Sequence, residues 1–368
     1  MKTFLRKTFY FLAITTLLSA CKSDDIDTYL DETYFIDGEY AARLSDNNLN
    51  LINSAITSSE GIYGFLNTGT MSNRLQSLVH ITTDGSVETL LTEAQYNPNG
   101  SKYSTVNLFL QETKLFIILN IQTSVDNYES QIFTLDLETK EYLAFKTFTS
   151  YKDILSTVSY DAKSDLLILG DETANKLFYY PLSATDNTPV PFTYSYANIE
   201  EKKEKLSFPI LSNDEFYSVS AMGNIYKIEI EKVGTEYICK PVLFSKQNDA
   251  VLYQLGLQVT SNGDFYCFTN LGLSKINTAT KKIEPKFYDA NLKPKKYTVS
   301  FKNNADKYYI TTSYTTKHKN TTPFEYPVPI NSFLVIENSL YVLDQTKIFK
   351  INNFEKQFNE AVATTPKI

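Results

Sequence analysis

The sequence predicts an all-β fold, a β-propeller of four-stranded blades. Three observations carry this. Apolar residues alternate with period two through short runs such as "QIFTLDL", "NIYKIEIEK" and "KYYITTSY", the pattern of half-buried strands. Hairpin dipeptides punctuate them at Asp37-Gly38, Asp84-Gly85, Asn99-Gly100 and Asn262-Gly263. Strand–turn–strand units also recur at near-regular spacing, the mark of a repeat fold.

The repeat is read as follows. "LVHITTDGSVETLL" from Leu78, "IFTLDLETKEYLAF" from Ile132 and "LFYYPLSATDNTPVPF" from Leu177 form one series. "IYKIEIEKVGTEYICKPVLF" from Ile225, "LSKINTATKKIEPKF" from Leu273 and "IFKINNFEKQF" from Ile348 continue it. Their starts lie about 54, 45, 48, 48 and 75 residues apart, against about 40–50 for a blade. A second strand pair precedes them, as in "STVSYDAKSDLLILG", "SFPILSNDEFYSVS" and "SFLVIENSLYVLD". Four short strands per repeat is propeller grammar. The long last interval holds "YTVSFKNNADKYYITTSY" from Tyr297, which reads as a further first pair. The count is therefore seven blades, with six plus an insertion as the alternative and a pair of β-sandwiches as the alternative fold. "TYFIDGEY" near Thr33 reads as an outer strand closing the ring on the C-terminal blade. The charged "NIEEKKEKL" is helix-like in composition but reads as a solvated loop.

The chain has 368 residues, and its ends differ in kind. Lys2, Arg6 and Lys7 precede an apolar run of about ten residues, Phe9 to Leu18, too short for the roughly twenty a bilayer span needs. This is a secretory signal over 1–20. It ends in Leu18-Ser19-Ala20-Cys21, which matches the bacterial lipobox at each position. Such a signal implies cleavage before Cys21 and lipid on its thiol and new amine, an anchor of more than one acyl chain. An acidic tether is assigned to 21–46 and the propeller to 47–368. "KSDDID" after Cys21 is similar to the export signal of surface lipoproteins. With the lipobox and the blade repeat, the chain resembles propeller-bearing surface lipoproteins of the Bacteroidota. The resemblance implies an outer-membrane protein exposed at the cell surface, with the periplasmic face as the alternative.

Composition limits the partners. The formal charge is −7 with the signal's three cations included. An acidic chain is poorly suited to nucleic acid, where clustered Lys and Arg neutralise phosphates. Cys239 and Cys267 lie in apolar strand-like runs of different repeats and read as buried, unpaired thiols.

Chemistry is hard to find. His80, in "SLVHITTDG", reads as a satisfied strand histidine, and His318, in "TTKHKN", as solvated. Two His cannot build a multi-His metal site. No G-x-S-x-G elbow, phosphate-cradling Gly loop or calcium loop is present. No catalytic, cofactor-binding or metal residue is assigned, and Cys21 is the one site residue. The absence of Trp leaves 27 Tyr and 24 Phe as the aromatic surface. The expectation is a binding module rather than an enzyme, presenting a channel mouth to a small molecule, glycan or protein partner and needing no cofactor. A calcium-dependent envelope hydrolase or lyase and a structural scaffold are the alternatives.

Overall fold

A computed structural model describes residues 33–44, 49–50, 55–67, 76–101, 103–124, 127–151, 155–171, 176–196, 206–212, 215–220, 224–246, 254–260, 262–269, 272–286, 296–301, 307–310, 325–328, 333–344, 347–361 and 363–364. The signal peptide, Cys21, His318 and nearly all of "NIEEKKEKL" lie outside them. No described helix is long and apolar enough to cross a membrane.

The chain opens with β1 (Thr33–Arg43). The first blade has β2 (Leu49–Asn50) and β3 (Ile56–Ser58) side by side along β4 (Gly61–Asn67), then β5 (Gln76–Thr82) and β6 (Val87–Leu91). A short helix, α1 (Glu93–Tyr96), leads to the second blade: β7 (Tyr103–Gln111), β8 (Lys114–Ser124), β9 (Asn127–Asp136) and β10 (Tyr142–Tyr151). The third blade is β11 (Thr157–Asp161), β12 (Leu166–Asp171), β13 (Lys176–Pro181) and β14 (Val190–Pro191). In the fourth, β15 (Thr193–Tyr194) flanks the outer edge of β16 (Leu206–Ser212), β17 (Glu215–Ser220), β18 (Ile225–Val233) and β19 (Glu236–Ser245). The fifth is β20 (Gln254–Val259), β21 (Phe265–Thr269), β22 (Gly272–Asn277) and β23 (Lys282–Pro285). Then come β24 (Lys296–Phe301), β25 (Lys307–Ile310) and β26 (Glu325–Val328). The last blade is β27 (Phe333–Ile336), β28 (Ser339–Asp344) and β29 (Lys347–Ile351), followed by α2 (Phe354–Glu360) and β30 (Ala363–Thr364).

Period-two alternation explains the ring. On β8, Leu115, Ile117 and Leu119 face the first blade, while Phe116 and Ile118 face the third. On β12, Leu167 and Leu169 face the second blade, and Leu166 and Ile168 the fourth. Each large side chain buried this way contributes about 1.5–3 kcal/mol. A one-residue slip would exchange the two faces, which pins the register. The same packing joins the fourth to the fifth blade, the fifth to the last and the last to the first. The ring therefore closes with six blades, the alternative count.

The interval expected to hold a seventh blade is used differently. β24 pairs in parallel with β1 from Thr33↔Lys296 to Gly38↔Phe301, and carries β25 and β26 beyond it. These strands extend the sheet of the last blade. The cluster of Tyr266 and Leu273 with Phe333, Val342 and Phe349 shows the fifth blade packing directly on the last.

Closure comes from β1, as "TYFIDGEY" suggests. Its second half runs antiparallel to β29, from Glu39↔Lys350 to Arg43↔Lys347, and is the fourth strand of the last blade. Three readings need correction here. Residues 33–43, placed in the tether, belong to the sheet. Asp37-Gly38 is no hairpin: Gly38 sits mid-strand, where β1 leaves β24 for β29. The second half of "IFKINNFEKQF" is α2, because Phe354 and Phe358 are buried at helical i, i+4 spacing.

Candidate functional site

The innermost strand of each blade is its first: β3 with β2, then β7, β11, β16, β20 and β27. Neighbouring inner strands touch, as in β27 with β3, β3 with β7, and β7 with β11. They also run the same way. Gln111 at the end of β7 donates through Nε2 to Tyr160 O (2.5 Å) and accepts through Oε1 from Tyr160 N (2.7 Å) near the end of β11. Gln258 on β20 likewise accepts from Val335 N on β27 (3.0 Å) and donates to Phe333 O (3.4 Å). Each side-chain amide acts as a peptide group would in a ladder, stitching one blade to the next.

Parallel inner strands give the ring two distinct faces. One collects the turns between the first and second strands and between the third and fourth. Glu112, Asp165 and Glu337, with positive φ, stand in the former; Lys140 and Lys281 stand in the latter. We call this the turn face. The other, the connection face, collects the links between second and third strands and between blades, including α1.

Buried polar groups gather on the connection face, between the second and third blades. Asn120 on β8 donates through Nδ2 to Leu155 O (2.7 Å) and accepts from Ser130 Oγ (2.6 Å). Ser156 donates to Gly170 O from both its backbone N–H (2.8 Å) and its Oγ (3.0 Å). Thr157 Oγ1 is buried with no hydrogen-bond partner. Beside Gly170, at the end of β12, stands Asp171, 1% exposed and the one buried carboxylate among the described residues. Burying an ionisable group is costly unless it is partnered, and a carboxylate held at such a place is a candidate for acid–base work. The sequence reading assigned no site residue besides Cys21 and missed Asp171. Its signal was present in "LLILGD": an acid ending a strand buried at every position.

Other sequence candidates fall elsewhere. His80 lies on β5, stacked on Tyr63 with centroids 4.4 Å apart. Its Nε2 is buried without a hydrogen-bond partner, so it is not the fully satisfied strand histidine expected. Cys239 on β19 and Cys267 on β21 are free and buried. Burial pushes both thiols up, that of Cys267 to about 12. A second charged group joins the fifth and last blades. Lys275 Nζ lies 2.9 Å from Asp264 and 3.2 Å from Glu355, Lys286 Nζ lies 3.4 Å from Glu355, and Tyr266 OH donates to Glu355. These charges are engaged with one another and clip α2 to the fifth blade. Among the described residues no three His, Cys, Asp or Glu side chains group to hold a metal ion.

No protein-family model matches the sequence, and no curated protein matches it. Solved structures do. A periplasmic gluconolactonase of Pseudomonas aeruginosa is similar at 8% identity, over 60% of this chain and 65% of that one, with a TM-score of 0.35. A xylan β-1,4-xylosidase of Bacillus halodurans is similar at 12%, over 62% and 53%, with a TM-score of 0.38. An enzyme from Xanthomonas citri, solved with xylose, is similar at 7%, over 70% and 93%, with a TM-score of 0.38. The chain thus spans just under two thirds of the Pseudomonas protein and about half of the Bacillus one. At these identities and TM-scores the likeness assigns no activity or substrate.

The expectation that the chain is not an enzyme is nonetheless corrected. It rested on missing local motifs, and in a ring a missing local motif does not exclude a site. A ring shows why the inference failed. Residues meeting at its axis come from strands about fifty positions apart, so a site assembled there leaves no short motif.

Proposed function

We propose that the chain is a lipid-anchored envelope hydrolase whose reaction centre lies on the connection face, with Asp171 as its acid–base carboxylate. The burial of Asp171 carries the reading. Hydrolysis needs a group that withdraws a proton from water or delivers one to a leaving group, and a positioned carboxylate does either. Asp171 ends the second strand from the axis and adjoins inner strand β11, where Thr157 adds a buried hydroxyl. The lipobox ending at Cys21 supports attachment to the outer membrane, and the acidic "KSDDID" supports exposure at the cell surface. Small molecules or glycans then enter as substrates.

The names of the similar propellers set the assay: a panel of lactones and aryl xylosides, run with calcium and with chelator. Wild-type protein is expected to turn over at least one member. Asp171→Asn is expected to lower that rate about 10²- to 10⁴-fold, the usual effect of losing a general acid or base, with the melting temperature maintained. Turnover surviving in Asp171→Asn removes its role. A wild-type protein inert across the panel overturns the hydrolase reading.

A further inference from the structure

The direction of β1 says which way the ring faces. On the last blade β29 begins at the connection face and ends at the turn face, because β28 and β27 before it are joined by the turn at Glu337 and Asn338. β1 is antiparallel to β29, with Glu39 opposite Lys350 and Arg43 opposite Lys347. It therefore enters at the turn face, on the outer edge of the ring. Upstream of Glu39 it continues as strand from Thr33 to Gly38, held by β24, and so projects past that face. Six residues of strand measure about 20 Å.

Cys21 lies twelve positions before Thr33. Fully extended they reach about 40 Å. β28, six residues long, makes the last blade about 20 Å tall. To come level with the connection face, the tether would have to retrace the projecting part of β1 and then the blade. That takes its entire extended length.

We propose that the turn face is the membrane-proximal side of the ring and that the connection face, with Asp171, is held outward. The inference rests on the lipid-anchor reading for its membrane, but its geometry comes from β1 alone. The partner is the lipid surface that carries the anchor. The turns of that face mix acids such as Asp84, Glu112, Glu138, Asp165 and Glu337 with Lys114, Lys140, Lys163 and Lys281, a polar surface that rests against headgroups rather than embedding in the bilayer.

The test uses two ends of one blade. Glu138 is exposed on the turn face and Ser124 is exposed at the connection-face end of β8. Glu138→Cys and Ser124→Cys each add one accessible thiol, since Cys239 and Cys267 are buried. The acylated proteins are labelled with a donor fluorophore and reconstituted into phosphatidylcholine–phosphatidylglycerol vesicles with an acceptor in the headgroup layer. Energy transfer is expected to be several-fold stronger from position 138. Equal transfer, or stronger transfer from 124, overturns the orientation. The same pair is measured with a hexahistidine tag in place of residues 1–21 on nickel-chelating vesicles. That arm gives the same result if the geometry is right, even where a cell fails to acylate Cys21, so the two readings fail separately.

Discussion

The two faces of the ring solve the chain-reversal problem differently. On the turn face one device recurs. Asp136, last residue of β9, accepts from the backbone of Glu138 (3.0 Å) and Thr139 (2.9 Å), and Lys140 N–H returns to Asp136 O (2.9 Å). In the fifth blade Asn277 does the same with Ala279 (3.1 Å) and Thr280 (3.0 Å), and Lys281 N–H returns to Asn277 O (2.7 Å). Each reversal is satisfied by its own residues, with φ near +60° at Lys140 and Lys281. On the connection face local devices occur too, as Asn97 with Ser101 and Ser220 with Asn224, but between the second and third blades satisfaction is non-local: Asn120 reaches Leu155 and Ser130. A self-sufficient turn can be repeated without reference to its neighbours, and so it builds the scaffold. A face whose polar groups depend on distant partners differs from blade to blade, and that is where one buried acid can be placed.

One glycine on each face makes the contrast measurable. Gly85, in the turn after β5, has φ +91°, and a Cβ there would lie 1.5 Å from Ala41 O on the closure strand. Gly85→Ala must shift that backbone and loosen ring closure. The expected loss is on the order of 3 kcal/mol or more, in the range of strained backbone plus overpacking. Gly100, on the connection face, has φ +59° and nothing within 4 Å of a Cβ. Gly100→Ala meets only the left-handed backbone penalty, about 1 kcal/mol. Urea titration of both variants checks the pair. Equal losses would mean that the turn face has no special part in closure.

The inter-blade amides come next. Gln111→Leu leaves Tyr160 N–H and C=O without their side-chain partner, at an expected cost of about 1–3 kcal/mol. Gln258→Leu does the same to Val335 at the fifth seam. Hydrogen exchange should show the loss at Tyr160 and Val335 respectively. If neither amide exchanges faster, the Gln bridges do not hold the inner strands together.

The scaffold was legible in the sequence because it is local. Period two, turn dipeptides and the near-repeat of "DLETKE" and "NTATKK" all report on neighbours a few residues apart. The closure strand was legible for the same reason: residues near Thr33 look like strand wherever they pair. What stayed hidden is which strand pairs with which. "YTVSF" and "KYYI" read like the first pair of a blade, and only the register Thr33↔Lys296 shows that they extend the last one. That register is a contact across more than 260 positions. Asp171 went unassigned although "LLILGD" ends an apolar strand, since nothing local shows that its carboxylate is buried as well.

The smallest expected effect lies at the seam where closure is clipped. α2 leaves β29 at the turn face, and its Glu355 meets Tyr266, Lys275 and Lys286 of the fifth blade. Burial works to raise the Glu355 carboxyl, but the Tyr266 hydrogen bond, Lys286 and Lys275 outweigh it and hold it below its ordinary value. A carboxyl depressed in the folded state adds stability above its unfolded pKa, about 4.3 for Glu. That stability is lost as pH falls through the folded value. Glu355→Gln should therefore lower the melting temperature slightly at pH 7, and the difference should shrink as pH falls below the unfolded value and through the lower folded one. The two melting curves should converge across that acid window. A gap that keeps its size however far the pH falls would show that Glu355 acts through packing alone, and that the charge clip adds nothing to the closure begun by β1.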